Sequence, residues 1–92
     1  MKRVRVADAA YRDLTRLAAW VAPKSPRAAD LAADALTEAI ASLAELSDRG
    51  RPVHRNVREL TVPFGRDGYV LRYHVGRSDV LVTRITHVRE RR

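Results

Sequence analysis

Apolar residues recur with two different periods along the chain, and the change comes near Gly50. Before it they stand three and four residues apart, as on one face of a helix. After it they stand at every second position, as on one face of a strand. The pattern therefore predicts a mainly helical first half and a sheet in the second half.

A short strand and an amphipathic helix are predicted at the start. Residues 2–6 alternate polar and apolar side chains, which suits a half-buried strand. Asp8 is the predicted N-cap of the helix, because its side chain can accept a free N–H of the first turn. Pro23 ends the helix. Its apolar positions are Ala10, Tyr11, Leu14, Leu17, Ala18 and Val21.

The second helix has the clearest pattern in the sequence. Ser25 is its predicted N-cap and Pro26 its first residue, where a missing N–H costs nothing. An apolar stripe then runs from Leu31 to Leu46, opposite a face of aspartate and glutamate. Gly50 is predicted to close this helix, so that the two helices form a hairpin.

Three strands joined by short turns are predicted in the second half. Residues 58–62, 69–75 and 80–86 are the strands, and residues 63–68 and 76–79 are the turns. The order β-α-α-β-β-β predicts an α+β fold, in which an antiparallel sheet packs against an N-terminal helical hairpin. The 92 residues are expected to form a single domain.

The formal net charge of +7 comes entirely from the second half. Residues 1–48 carry seven Lys or Arg and seven Asp or Glu, whereas residues 49–92 carry eleven and four. A one-sided positive field attracts acidic partners, such as nucleic acid or an acidic protein segment. Solubility alone is the other explanation of this charge.

Composition also excludes several classes of site. The chain has no cysteine, which excludes a disulfide framework and thiolate metal sites. No apolar run approaches the roughly 20 residues of a membrane span, so we expect a cytoplasmic chain that makes no membrane contact. His54 has no second histidine or carboxylate at ligand spacing. We therefore expect neither a metal site nor a cofactor.

Short motifs follow one another in a particular order along almost the whole chain. They are a basic first strand, Asp13-Leu14, Ser25-Pro26, Gly50-Arg51-Pro52, Val57-Arg58-Glu59-Leu60, Tyr69-Val70-Leu71-Arg72-Tyr73 and Arg84-Ile85-Thr86-His87-Val88-Arg89-Glu90. No single motif is specific, but their order and spacing resemble RelE/ParE toxins of type II toxin–antitoxin systems. The resemblance implies the fold predicted above and a toxin that a cognate antitoxin holds inactive.

The family contains two activities, and the resemblance favours the ParE branch. RelE-like members cleave messenger RNA in the ribosome, whereas ParE-like members poison DNA gyrase. Where RelE-like members have a strand arginine, this chain has Val70; the late arginine corresponds to Arg89, and the tyrosine beyond it has no counterpart before Arg92. Two of three expected catalytic groups are thus missing. The resemblance implies a gyrase poison that is not an enzyme.

Two alternatives stay open. In the first, the chain is a ribosome-dependent mRNA endonuclease in which His87 acts as acid or base and Arg72 and Arg89 bind a phosphate. In the second, it is a non-toxic basic module that binds nucleic acid directly. Against the second, no predicted helix clusters basic residues as a recognition helix does.

The target-binding surface is predicted on the strands and in the basic closing segment, residues 87–92. Guanidinium groups there suit carboxylates and phosphates alike, so either gyrase or its bound DNA is a possible contact. The predicted residues are Arg72, Arg84, His87, Arg89, Glu90 and Arg91. The alternative is that this segment is frayed and has no role.

A separate surface is predicted for the antitoxin, which by resemblance is ParD-like, with an acidic C-terminal segment that suits a basic chain. Trp20 falls off the main apolar stripe of the first helix, as interface anchors often do, although a core tryptophan is an equal interpretation. Leu17 and Leu31 are weaker candidates. We expect a hetero-oligomer with the antitoxin.

Overall fold

The computed structural model describes residues 1–90, which form two helices packed on one face of a five-stranded sheet. The α+β class with a helical hairpin on a sheet is confirmed. The helices are α1 (Asp8–Val21) and α2 (Pro26–Ser42). The strands are β1 (Arg3–Val6), β2 (Arg51–His54), β3 (Val57–Phe64), β4 (Asp67–Val75) and β5 (Asp79–His87), and a 3₁₀ turn, Val88–Glu90, follows β5. Neither helix is long and apolar enough to span a membrane.

The strands lie in the order β1-β5-β4-β3-β2. Three neighbouring pairs are antiparallel, but β1 pairs with β5 in parallel, so the sheet is mixed instead of wholly antiparallel as predicted. The chain between β1 and β5 contains both helices and three strands. This long connection lets β5 return beside β1 in the same direction, which a short hairpin cannot do.

The hydrophobic pattern does not predict β2, which forms one edge of the sheet. Of its four residues only Val53 is partly buried, so no alternation marks the strand in the sequence. Pro52 also argues against a central strand, because proline has no N–H for a second neighbour. At an edge neither property prevents pairing, and β2 pairs with β3.

The start of α1 differs from its prediction by one residue. The N-cap is Ala7 and not Asp8. The Ala7 N–H donates to the Val82 carbonyl at 2.9 Å, which keeps the residue after β1 bound to β5 before the helix begins. Asp8 lies in the first turn, where its negative charge interacts favourably with the helix dipole.

The second helix begins as predicted and ends earlier. Ser25 is its N-cap, with Pro26 at its start. The helix stops at Ser42 and does not extend to Gly50. The residues after it fasten the start of the chain instead, since the Ala44 carbonyl accepts the backbone N–H before β1 at 2.7 Å.

The β3–β4 turn is tighter than the predicted span of residues 63–68. Phe64 pairs with Asp67, which leaves only Gly65 and Arg66 in the turn. Gly65 has φ +60°, a left-handed conformation that glycine adopts without strain. Both strands therefore reach further into the hairpin than the hydrophobic pattern indicates.

The core lies between the helices and one face of the sheet. Its fully buried large side chains are Leu43, Leu71, Tyr73, Val80, Val82 and Ile85. Neither helix covers the opposite face of the sheet, which is called the outer face below.

Candidate functional site

A groove of about 760 Å³ opens between α1 and the β3–β4 hairpin. It is called the groove below. Its apolar lining is Leu17, Trp20, Val21, Phe64 and Tyr69, and its charged lining is Arg16, Lys24, Arg66, Asp67, Arg89 and Glu90. His87 also lines it. Aromatic side chains next to arginines are the composition typical of protein-binding surfaces.

The C-terminal turn, Val88–Glu90, is held at the groove by two hydrogen bonds with His87. The Glu90 Oε1 atom accepts the His87 backbone N–H at 2.7 Å, and His87 Nδ1 accepts the Arg89 N–H at 3.0 Å. This reciprocal pair has the pattern of a capping box, with histidine in the cap position. It requires His87 Nδ1 without a proton, because a protonated ring nitrogen only donates.

Two ion pairs fasten this turn to the rest of the molecule. Glu90 Oε2 pairs with Arg16 of α1, and Arg89 Nε lies 2.9 Å from Asp67 Oδ2 of β4. Burial raises the pKa of Glu90, but the His87 N–H bond and the Arg16 cation outweigh it and bring the pKa below its usual 4.5. Glu90 is therefore ionised at neutral pH and holds both partners.

An edge-to-face contact with Tyr69 positions the His87 ring. The centroids of the Tyr69 and His87 rings are 5.5 Å apart, and the centroid of the Phe64 ring lies 6.1 Å from that of Tyr69. Burial raises the pKa of the Tyr69 phenol above its usual 10.0, so it stays neutral. The imidazole thus lies against the neutral Tyr69 ring and beside the C-terminal turn.

Trp20 lies in the groove with 71% of its surface exposed, which excludes the core interpretation. Lys24 Nζ lies 4.6 Å from the ring centroid, a cation–π contact. Leu17 is only 7% exposed and belongs to the core, although it lines the groove. Leu31 is exposed on α2 and is not part of this lining. The three predicted antitoxin residues therefore do not form one surface.

A smaller groove of about 300 Å³ runs between α1 and α2. Leu17, Val21 and Tyr69 line both grooves. The rest of its lining is mainly apolar and includes Leu14, Ala29, Ala32 and Leu36. The apolar surface open to a partner thus continues from the groove onto the helical hairpin.

Arg72 lies on the outer face, away from the groove. The strand register places Arg51, Glu59, Arg72 and Arg84 in one row across β2, β3, β4 and β5. Glu59 accepts from Arg72 Nε at 3.1 Å and from Arg51 at 3.2 Å. A β-bulge at Thr83 follows, because Arg72 pairs with Arg84 while the next residue of β4 pairs with Val82.

β1 pairs with β5 only as far as Val82, so the rest of β5 has no strand of residues 1–90 on that side. There Asp13 of α1 is the partner of Arg84. Arg84 donates through Nε at 2.9 Å and through Nη2 at 3.2 Å, in a forked pair. The Ile85 backbone N–H also donates to Asp13, at 2.8 Å, as it would to a neighbouring strand. Burial raises the pKa of Asp13, but Arg84, Ile85 N–H and Arg16 together lower it below its usual 3.8.

Asp13, Arg16 and Asp67 are not among the site residues that the sequence predicts. A signal for Asp13 exists, since it stands three residues after Ala10 and four before Leu17, on the buried stripe of α1. An acid on an apolar face needs partners. Nothing comparable marks the other two, whose roles depend on where the chain end comes to lie.

The predicted target-binding set divides between two places. His87, Arg89 and Glu90 come together at the groove, whereas Arg72 and Arg84 belong to the outer-face row. Arg91 lies outside the described residues. The predicted RNase set is divided in the same way, since Arg72 is on the opposite face of the sheet from His87.

Within residues 1–90 no three His, Asp or Glu side chains cluster as metal ligands do.

Comparisons with known proteins agree with this fold. Residues 4–92 match the family described as ParE toxin of type II toxin-antitoxin system, parDE. Toxin RelE3 of Caulobacter vibrioides is 46% identical over 92 residues, covering all of both chains, and Toxin RelE1 of the same bacterium is 44% identical over 97% of this chain and 96% of its own.

A solved structure described as the chromosomal ParDE TA system from P. aeruginosa has a chain of the same fold. The TM-score is 0.81 at 23% identity, over 96% of this chain and 97% of the other. With the family match along nearly the whole sequence, the chain belongs to the ParE toxin family of type II toxin–antitoxin systems.

Proposed function

We propose that this toxin acts by binding and poisoning DNA gyrase, and not by cutting RNA. The observation that carries the proposal is the division of the candidate catalytic groups between two faces of the sheet. RNA cleavage needs a proton acceptor, a proton donor and a cation around one phosphate. Arg72 is bonded to Glu59 on the outer face, whereas His87 lines the groove on the other side of the sheet.

The position of the missing strand arginine supports the same proposal. Val70 stands there, only 6% exposed, between Thr61 and Thr86 in the sheet register. An apolar side chain at this place neither binds a phosphate nor transfers a proton. The outer face therefore lacks, at this position, the group that RelE-like members use.

The C-terminal turn is the proposed contact with the target. Arg89 is exposed and pairs with Asp67, whose carboxylate is itself partly exposed. Such pairs are weak in water, so a carboxylate or phosphate of the target can replace Asp67 without a large loss. The guanidinium group offers either one a bidentate hydrogen bond.

The groove is the proposed site for the acidic C-terminal segment of a ParD-like antitoxin. Trp20 supplies an exposed aromatic anchor, and Arg16, Lys24 and Arg66 supply positive charge around it. The C-terminal turn lines the same groove. A segment bound there covers the residues that we assign to the target, so occupation alone accounts for neutralisation.

A paired assay tests the gyrase proposal. Purified toxin, free of antitoxin, is added to gyrase with supercoiled plasmid and ATP, and separately to translating ribosomes. We expect trapped, cleaved plasmid and intact mRNA. Inactivity in both assays would instead favour the non-toxic binding module.

The mRNA endonuclease stays the second candidate because the curated relatives carry RelE names. Cut mRNA together with unaffected gyrase would establish it and overturn the proposal. His87 and Arg89, which lie together at the groove, would then be mutated first, and Arg72 after them.

Trp20 itself reports on the antitoxin site, since the chain has a single tryptophan. An antitoxin segment without tryptophan is titrated into the toxin while the emission is recorded. We expect a blue shift and weaker quenching by acrylamide, because binding removes the ring from water. Saturable binding that leaves the emission and its quenching unchanged would place the antitoxin elsewhere.

A further inference from the structure

Arg16 joins α1 to both β5 and the C-terminal turn. Its Nη1 atom donates to Glu90, while its Nη2 atom lies 3.4 Å from Asp13 Oδ1 and 3.5 Å from the Ile85 carbonyl. Asp13 is buried and is itself bonded to the Ile85 N–H. Arg16 is therefore held from the side of the core, and its other nitrogen is directed to the chain end.

Glu90 transmits this contact to the turn. One carboxylate oxygen meets Arg16 and the other accepts the His87 N–H, so one side chain serves both contacts. His87 in turn accepts the Arg89 N–H. The order of the contacts is Arg16, Glu90, His87 and Arg89, and the last of these is the exposed cation at the groove.

We propose that Arg16 is a positioning residue of this toxin, which holds the C-terminal turn through Glu90 so that Arg89 meets the target in a fixed orientation. The part of the inference that concerns the target rests on the gyrase proposal. The part that concerns the order of the turn does not.

A double-mutant cycle in the toxin measures how strongly Arg16 and Glu90 hold the C-terminal turn in its folded conformation. Amide hydrogen exchange is followed at His87 and Arg89 in wild type, Arg16→Gln, Glu90→Gln and the double variant. We expect about tenfold faster exchange at these amides in each single variant, and a double variant no faster than Glu90→Gln alone, because both changes break one contact. Leu71 in the core should exchange as in wild type.

Two further variants test whether the positive charge at position 16, and not simply the loss of an arginine from α1, controls the order of the turn. Arg16→Lys retains a cation and should keep exchange within about twofold of wild type. Arg12→Gln is the matched control, since Arg12 is an exposed arginine of α1 with no ion pair among residues 1–90. Unchanged exchange at His87 and Arg89 in Arg16→Gln, or faster exchange throughout the core, would overturn the positioning role.

The same variants are compared in the gyrase assay by the toxin concentration that traps half of the plasmid. Arg16→Gln and Glu90→Gln should each need about tenfold more toxin, whereas Arg16→Lys and Arg12→Gln should not. A disordered turn with unchanged potency would overturn the link to the target. If wild type itself does not trap plasmid, the gyrase proposal fails, and hydrogen exchange alone still decides whether Arg16 orders the turn.

Discussion

The outer face and the groove both contain arginine–carboxylate pairs, but the carboxylates differ in burial. The side chains of Glu59, on the outer face, and of Asp13, at the edge of β5, are each 5% exposed, whereas at the groove Asp67 is 28% and Glu90 38% exposed. A buried carboxylate without a partner is strongly destabilising. An exposed pair contributes little and exchanges readily with an incoming ligand.

This difference separates arginines that hold the fold from arginines that are open to a partner. Arg72 and Arg84 compensate buried acids, although more than half of each side chain reaches solvent. Arg89 compensates an acid that is partly exposed to water. The positive charge of the second half therefore does not act as one surface, and exposure of an arginine alone does not identify a binding residue.

The largest expected effect comes from removing a buried acid. Asp13→Ala removes the hydrogen bonds to Arg84 and leaves the buried Ile85 N–H without an acceptor, so it should lower the free energy of unfolding by about 3 kcal/mol. Urea unfolding of the purified toxin measures it. Asp30→Ala, at an exposed position of α2, is the control and should change stability by less than about 0.5 kcal/mol. Equal losses of stability in the two variants would show that burial of the carboxylate does not determine its contribution to the fold.

In contrast to Asp13→Ala, Trp20→Ala should have little effect on the stability of the fold and a large effect on the affinity for the antitoxin. Its exposed ring contributes less than about 0.5 kcal/mol to stability, but loss of an interface anchor should weaken antitoxin binding by about 2 kcal/mol, or roughly 30-fold. Calorimetric titration gives the affinity. Tyr11→Ala, an exposed aromatic of α1 outside the groove lining, is the matched control. Equal weakening by both variants would argue against the groove.

The same substitution, arginine to glutamine, can be made on the outer face at Arg72 and at the groove at Arg89. Arg72→Gln should lower stability by about 1 kcal/mol because Glu59 stays buried, whereas Arg89→Gln should change it by less than about 0.5 kcal/mol. In the gyrase assay the order should reverse, with only Arg89→Gln losing potency. Loss of potency in a stable Arg72→Gln variant would instead show that the outer face contacts the target through Arg72, one of the target-binding residues that the sequence predicts.

The sequence predicts much of the fold because burial on one face imposes periodicity. The helical hairpin and four of the five strands follow from that periodicity, and the Ser25-Pro26 start of α2 from local capping chemistry. β2 has no buried face and leaves no such pattern. After α2 ends at Ser42, the Ala44 carbonyl accepts a long-range hydrogen bond from the start of the chain, which no local rule predicts.

The candidate site is less predictable because it depends on which face each residue occupies. The position of Trp20 off the apolar stripe is compatible with an interface anchor and with a core residue, and only its exposure in the structure excludes the core. The separation of Arg72 from His87 follows from strand alternation and from packing against α1, and the basic residue types do not reveal it. The ion pair of Arg16 with Glu90 joins residues 74 positions apart, which no sequence spacing indicates.

The smallest expected effect is the pH dependence of the pair at the groove. The pKa of Glu90 lies below its usual 4.5, so its contribution to stability is complete above that pH and is lost as pH falls through the lowered value. Because Glu90 is more than one third exposed, this contribution should be only about 0.5 kcal/mol. Wild type and Glu90→Gln should therefore differ by this amount at pH 6 and converge below pH 4.5, in urea unfolding at each pH. A difference that persists at low pH would show that Glu90 acts through something other than its charge.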